Sequence, residues 1–145
     1  MEKKDLKPAG VFKYFEEICQ VPRPSKKEEK MIAYLKAFGA KHNLETKVDE
    51  AGNVLIKKPA TPGKENLQTV VLQSHIDMVC EKNNDVQHDF LTDPIETEID
   101  GEWLKAKGTT LGADNGIGVA TELAILADDS IEHGPLECLF LSLIH

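Results

Sequence analysis

The sequence predicts a mixed α/β fold, in which helices pack on a central sheet. Three observations lead to this class. Segments with the apolar spacing of amphipathic helices occur in both halves of the chain, and short strand-like segments lie between them. One unbroken apolar run and a second, mostly apolar run are typical of buried strands. The 145 residues, 41% of them apolar, are enough for one hydrophobic core. We therefore expect a single α/β unit.

The composition excludes several classes of function. A net charge of −8 leaves no basic stripe for binding nucleic acid. No run approaches the roughly 18 apolar residues of a membrane span, and the first residues lack the apolar core of a signal peptide. Cys19, Cys80 and Cys138 are odd in number and widely spaced, as free thiols of a reducing compartment are. These features predict a cytoplasmic protein without a membrane or nucleic-acid partner.

Two helices are predicted near the start of the chain. Residues 8–19 place apolar side chains on one helical face, namely Val11, Phe12, Phe15, Ile18 and Cys19. The prolines at positions 22 and 24 end this helix. Ser25 and Glu28 then have the spacing of a capping box, so a second helix is expected from there to residues 42–43. Its inward residues would be Met31, Ile32, Leu35 and Phe38. Both helices are interpreted as scaffold.

The remaining elements are strands and one helix. Residues 45–49 and 54–57 predict two strands joined by a turn, and residues 95–99 and 102–106 predict a hairpin around Asp100-Gly101. The apolar runs at 69–72 and 136–143 are typical of strands covered on both faces. Between these elements, residues 81–94 form a long polar loop. Residues 117–127 predict a helix whose inward face is Ile117, Ala120, Leu123, Ala124 and Ala127.

A His-x-Asp sequence follows the first of these apolar runs. In a strand, His75 and Asp77 point to the same side, so an imidazole and a carboxylate share one face. A histidine can bind a metal through one ring nitrogen while a carboxylate holds the other N–H. The alternative is a strand-end histidine that only satisfies a hydrogen bond. For so short a motif, that alternative is the more frequent explanation.

A second polar feature is Asp114, which lies among glycines at positions 108, 112, 116 and 118, just before a predicted helix. This carboxylate is either a metal ligand or a helix N-cap. A phosphate-binding loop is not supported, because neither glycine-rich phosphate motif is present. Together, His75 and Asp114 offer the nitrogen and oxygen ligands that suit zinc or a similar first-row ion.

Other candidate chemistries have less support in the sequence. His88, His133 and Cys80 are ligands by residue type, but their spacing does not require that role. The cysteines are more simply small buried apolar residues. A serine triad is not supported, because Gly-x-Ser-x-Gly is missing, and no base is positioned for a Cys/His pair.

Several segments resemble the aminoacyl-histidine (Xaa-His) dipeptidases, a family of co-catalytic zinc peptidases. They are Ser-His-Ile-Asp-Met-Val-Cys-Glu-Lys at 74–82, His-Asp-Phe at 88–90, Asp-Pro-Ile at 93–95, Gly-Thr-Thr-Leu-Gly-Ala-Asp-Asn-Gly-Ile-Gly at 108–118, and Val-Pro-Arg-Pro-Ser at 21–25. The resemblance implies a three-layer catalytic domain with a mixed sheet flanked by helices. It also implies two Zn²⁺ ions, with Co²⁺ or Mn²⁺ as alternatives, and a homodimer of the full-length protein.

The same resemblance implies residue roles. His75 would bind one metal ion, Asp114 would bridge two, and Asp77 would be a catalytic residue that orients His75. The peptide bond between Asp114 and Asn115 would be cis. The implied reaction is hydrolysis of unblocked dipeptides, including those ending in histidine, by water activated between two metal ions while a glutamate takes its proton. No substrate-binding residue is assigned.

The end of the chain departs from the family pattern. The family continues its Leu-Glu-Cys-Leu-Phe strand into Thr-x-x-Glu-Glu, whereas here Ile144 and His145 stand about where the glutamates are expected. We therefore interpret residues 1–145 as the N-terminal portion of a metallopeptidase catalytic domain without its lid or dimerisation domain. The alternative function is an inactive fragment, at most a partial metal-binding or interaction module. The strand at 136–143 is expected to expose an unpaired edge.

Overall fold

The computed structural model describes residues 1–142. Its helices are a short 3₁₀ helix at Lys3–Asp5, then α1 (Ala9–Cys19), α2 (Glu29–Lys41) and α3 (Ala113–Ala127). Its strands are β1 (Glu45–Val48), β2 (Val54–Lys58), β3 (Val70–His75), β4 (Thr97–Asp100), β5 (Trp103–Ala106) and β6 (Leu136–Leu141). Among the described residues, no helix has both the length and the apolarity to cross a membrane.

The main sheet has four strands in the order β1-β2-β6-β3. The β1–β2 and β2–β6 pairs are antiparallel, and β6 pairs with β3 in parallel. A separate hairpin is formed by β4 and β5 at the predicted turn. The predicted α/β class with a mixed sheet is therefore confirmed.

The core lies between one face of the sheet and the helices. Residues alternate between the two faces of a strand, and in β2 and β6 every second residue is buried. The buried set joins Ile56 and Phe140 of the sheet with Phe15, Leu35 and Leu123 of the three helices in one cluster. Within residues 1–142, the helical layer thus covers one face of the sheet, and the alternate strand residues remain partly exposed.

The positions of two strands differ from the prediction. The apolar run at 69–72 was expected to be covered on both faces, but β3 is an edge strand of the described sheet, and Val70 and Val71 are 50% and 55% exposed. The expectation of an open edge on β6 is wrong, because β6 lies between β2 and β3. An apolar run alone does not distinguish a central strand from an edge strand. The rest of the predicted strand, Leu143, falls outside the described residues.

Two helix predictions also need correction. The capping box is wrong, because α2 begins at Glu29 with Glu28 as its N-cap, and the cap forms no side-chain hydrogen bond. The predicted inward face of α3 is partly wrong, since Ile117 is exposed while Glu122 is buried. In both helices, tertiary contacts rather than local spacing decide where the polar side chains lie.

The three cysteines are free thiols, and Cys19 and Cys138 are buried in the core as small apolar side chains. Burial is the main cause that raises the pKa of each of these two thiols to about 12. Cys80 is only half-buried, and desolvation raises its pKa as well. All three side chains therefore remain protonated near neutral pH, which makes them poor nucleophiles.

Candidate metal centre

The candidate site lies where β3 ends. His75 is the last residue of β3 and is paired with Leu141 of β6. The N–H of Ile76 still donates to the carbonyl of Leu141, at 2.9 Å, so the backbone is fixed just beyond the imidazole. The sheet thus holds His75 firmly at its edge, although its ring remains partly open to solvent.

Asp77 contacts the imidazole of His75. Nδ1 of His75 lies 3.1 Å from Oδ1 of Asp77 and 3.2 Å from its carbonyl oxygen. Both of these oxygens are acceptors, so Nδ1 carries a hydrogen, and in the neutral imidazole Nε2 then presents its lone pair. Asp77 is itself buried, and its other carboxylate oxygen accepts a hydrogen bond from the hydroxyl of Ser25. The geometry is that of a carboxylate that fixes the orientation of a histidine.

Asp114 approaches the same imidazole from the start of α3. Its Oδ1 lies 3.1 Å from Nε2 of His75, and its side chain is 97% exposed. The peptide bond between Asp114 and Asn115 is cis, as the family resemblance implied. The backbone at Asp114 and Asn115 is not helical, and the Asp114 carboxylate contacts His75 instead of capping α3. The structure thus brings the side chains of residues 75 and 114 together at the end of β3.

The distance between the two side chains fits a shared cation. The lone pair of Nε2 and the Asp114 carboxylate are both acceptors, so they repel each other unless a proton or a cation lies between them. Two ligand atoms on one tetrahedral zinc ion are about 3.3 Å apart, since each is roughly 2.0–2.1 Å from the ion. The observed 3.1 Å is close to that value, and it is also the length of an ordinary hydrogen bond from a protonated imidazole to a carboxylate. The donor set of one imidazole and one carboxylate therefore fits zinc.

The described residues provide only these two donors at the site. Within residues 1–142, no group of three or more His, Cys, Asp or Glu side chains has the arrangement of a metal site. His133 Nδ1 is instead 2.6 Å from the carbonyl of Gly134, and the Cys80 thiol points at the carbonyl of Met78. The positions at which the family pattern places two glutamates, Ile144 and His145, fall outside the described residues.

Two residues near the site were missed by the sequence interpretation. Arg23 is only 2% exposed, and its guanidinium donates to the carbonyls of Ile76 at 3.1 Å and Gly112 at 2.7 Å. Ser25 was assigned to a helix cap, but its hydroxyl donates to Asp77. The Pro-Arg-Pro-Ser order contained a signal for this role, because an arginine held between two prolines cannot belong to a regular helix.

The glycines around Asp114 make room for Arg23. A Cβ atom at Gly112 or at Gly116 would lie 2.7 Å from Nη2 of Arg23. Gly112 also has φ +76°, in the left-handed region. Glycine at these two positions therefore lets the guanidinium approach the backbone closely.

A buried acid lies behind the site, on α3. Glu122 is 3% exposed, and desolvation raises its pKa to about 7. The nearby hydroxyl of Ser74, the residue before His75, acts in the opposite direction and lowers the pKa of Glu122, but burial is the larger effect. The two groups nevertheless form no hydrogen bond of normal geometry, since the Ser74 hydroxyl and Oε2 of Glu122 both lack partners. Glu122 is the third residue near the site that the sequence patterns did not reveal.

Comparisons with known proteins agree with the motifs. No family model matches the chain. The chain is 52% identical over 138 residues to the cytosol non-specific dipeptidase of Escherichia coli, and this match covers 95% of the chain but 28% of the relative. The crystal structure of aminoacylhistidine dipeptidase from Vibrio alginolyticus superposes with a TM-score of 0.95 at 52% identity, covering all of this chain and 30% of that one.

Two more distant structures share the fold. A tripeptidase from Staphylococcus aureus gives a TM-score of 0.73 at 21% identity, and an aminopeptidase from Bacillus cereus gives 0.74 at 22%. Each match covers 92% of this chain and 36% of the other. The chain spans less than a third of the length of the two dipeptidases that it matches, and over that segment it is similar to them in both sequence and fold.

Proposed function

We propose that this chain carries part of the catalytic centre of a metal-dependent dipeptidase of the cytoplasm. The observation that supports it best is the 3.1 Å approach of His75 Nε2 to the Asp114 carboxylate, with Nδ1 held by Asp77. The 52% identity to a dipeptidase supports the reaction class. The proposed substrates are short unblocked dipeptides, including those with a C-terminal histidine.

Three side chains would divide the work at this centre. His75 would bind one zinc ion through Nε2, and Asp77 would keep the imidazole in the required tautomer and orientation. Asp114 would bind the same ion through Oδ1, and its exposed carboxylate leaves the second oxygen accessible to another ion. When bound, such a pair of ions polarises the peptide carbonyl and activates water.

A segment exchange tests this function. Residues 1–142 of this chain would replace the matching segment of the E. coli dipeptidase, and hydrolysis of alanyl-histidine would be measured with and without a chelator. We expect chelator-sensitive turnover that falls more than about 10²-fold in His75→Ala and about 10–100-fold in Asp77→Asn, the range of an orienting partner.

His133→Ala is the matched control, because His133 is also partly buried but bonds only to the backbone beside it. It should leave turnover within about twofold. A folded chimera that shows no turnover, or turnover indifferent to His75→Ala, would contradict the proposed function.

The 145-residue chain by itself should show negligible dipeptidase activity with added zinc. Its described residues place only two donors at the site, and no third His, Cys, Asp or Glu joins them. Loss of a general base alone lowers rates about 10²–10⁴-fold. Alanyl-histidine hydrolysis by the purified chain checks this, and robust turnover abolished by His75→Ala would show that the chain is sufficient. The competing function, an inactive partial metal-binding module, predicts weak zinc binding without turnover.

A further inference from the structure

Arg23 forms a bridge between the two loops that carry the candidate ligands. Nη1 donates to the carbonyl of Ile76 at 3.1 Å and, at a longer 3.4 Å, to that of Asp77, while Nη2 donates to the carbonyl of Gly112 at 2.7 Å. The first two carbonyls follow His75, and the third precedes Asp114 by two residues. One rigid, planar guanidinium therefore spans the gap that separates the two ligands along the chain.

The backbone around Arg23 is attached to the same strand end. The N–H of Met78 donates to the carbonyl of Arg23 at 3.0 Å, and Pro24 and Met78 form an isolated parallel bridge. The N–H of Ser25 donates to the carbonyl of Met78, and the Ser25 hydroxyl to the carboxylate of Asp77. Residues 23–25 thus continue the sheet past His75 like a short added strand.

We propose that Arg23 and Ser25 are positioning residues of this centre. Arg23 sets the separation of His75 from Asp114, and Ser25 fixes the carboxylate of Asp77 that orients the imidazole. This inference rests on the proposed function, because positioning matters only if His75 and Asp114 bind metal. The distances that Arg23 and Ser25 are proposed to control can nevertheless be measured without any metal.

The burial of Arg23 requires this arrangement. A guanidinium out of water needs hydrogen-bond partners, and here the acceptors that we identify are backbone carbonyls. If the side chain were removed, the carbonyl of Ile76 would lose the guanidinium as a donor, and that of Gly112 would keep only the N–H of Gly116, at 3.0 Å. The space beside Gly112 and Gly116 would also open. The two loops would then be free to relax apart.

The chain offers a matched control for Arg23. Lys58 is also a buried cation, and its Nζ donates to the carbonyls of Ile125 at 3.4 Å and Asp128 at 3.1 Å. It lies at the opposite end of the sheet, because Lys58 pairs with Leu136, and Leu136 with the first residue of β3. Arg23→Met and Lys58→Met both remove a buried cation, but only the first adjoins the site.

The primary measurement is the separation of His75 Nε2 from Asp114 Oδ1 in crystal structures of the 145-residue variants. We expect it to remain near 3.1 Å in Lys58→Met and to widen by more than 1 Å in Arg23→Met, with partial recovery in Arg23→Lys. An unchanged separation in Arg23→Met would overturn the role of Arg23, whatever happens to stability.

Zinc affinity of the same variants gives an independent readout. Arg23→Met should weaken Zn²⁺ binding about 10-fold or more, the loss typical of outer partners, and Lys58→Met by less than about twofold. If Zn²⁺ affinity falls equally in both variants, Arg23 stabilises the fold and does not position the ligands, which would overturn its proposed role. If the unmodified chain binds no zinc, the separation alone decides the role of Arg23, and the segment exchange described above remains the test of the proposed function.

A milder pair of variants is available should Arg23→Met fail to fold. Ser25→Ala removes one hydroxyl donor to Asp77, and Ser130→Ala removes a comparable serine bond to the exposed Asp128, at 2.6 Å. The inference predicts that Asp77 turns away from Nδ1 of His75 in Ser25→Ala only. Retention of the 3.1 Å contact in Ser25→Ala would overturn the role of Ser25.

Discussion

Replacing Glu122 by glutamine should remove the pH dependence of stability that this buried acid imposes. Burial raises the pKa of Glu122 in the folded protein from 4.5 to about 7. Between these two values the unfolded chain has lost its proton while the folded chain retains it, so stability falls as pH rises. A shift of this size corresponds to about 3 kcal/mol, all of which is lost above neutral pH.

The measurement is urea unfolding at pH 5 and pH 8. Relative to the unmodified chain, Glu122→Gln should gain about 2–3 kcal/mol at pH 8 compared with its value at pH 5. Because this is a difference between two pH values, the unknown cost of burying the amide cancels. The nearby thiol of Cys138 does not interfere, since its pKa of about 12 keeps it neutral at both pH values.

Glu132→Gln is the control for this comparison, because it removes a carboxylate that is exposed to solvent. Its effect should differ by less than about 0.5 kcal/mol between the two pH values. Equal responses of the two variants would show that Glu122 is ionised in the folded protein near neutral pH. In that case a partner would have to satisfy the carboxylate, and the orphaned Oε2 would need another explanation.

Replacing Gly112 by alanine should destabilise the chain by about 3 kcal/mol. Two effects add. A left-handed backbone, here φ +76°, costs a non-glycine residue about 1–2 kcal/mol, and overpacking of a filled interior costs another 1–3 kcal/mol. The new Cβ would lie 2.7 Å from Nη2 of Arg23 and 2.8 Å from Sδ of Met78, and neither group is free to withdraw into solvent.

Gly101→Ala separates these two effects. Gly101 has φ +63° in the β4–β5 turn, and no atom lies within 4 Å of a Cβ built there. This variant should lose only the backbone share, about 1 kcal/mol. Unfolding in urea, followed by circular dichroism, gives both values. If Gly112→Ala loses no more free energy of unfolding than Gly101→Ala, the packing of Arg23 and Met78 against Gly112 is looser than the distances indicate.

Local patterns were sufficient for most of the secondary structure. The alternation and turn chemistry of the β1–β2 and β4–β5 pairs depend on neighbouring residues, so both pairs formed where they were expected. The helical periodicity of α1 was likewise read correctly, and it ends at Cys19, before the prolines. These elements are decided by interactions over a few residues, and a single sequence records those interactions directly.

Contacts between distant segments could not be read in the same way. The spacing of Ser25 and Glu28 predicted that Ser25 caps α2, but its hydroxyl donates a hydrogen bond to the carboxylate of Asp77. The central position of β6 and the edge position of β3 depend on which strands meet, and an apolar run does not encode its neighbours. Glu122 stands on the predicted α3 but is buried against the sheet, because the helix is rotated from the face that its apolar residues suggested.

The sequence by itself determined the α/β class and identified His75 and Asp114 as candidate donors, because an imidazole and a carboxylate are groups that can bind a cation. Only the tertiary structure decided that these donors meet at 3.1 Å and that a buried guanidinium and a serine hydroxyl support them. The reason is physical. Residue type fixes which atoms can bind, whereas their separation depends on packing between segments that are far apart in the chain.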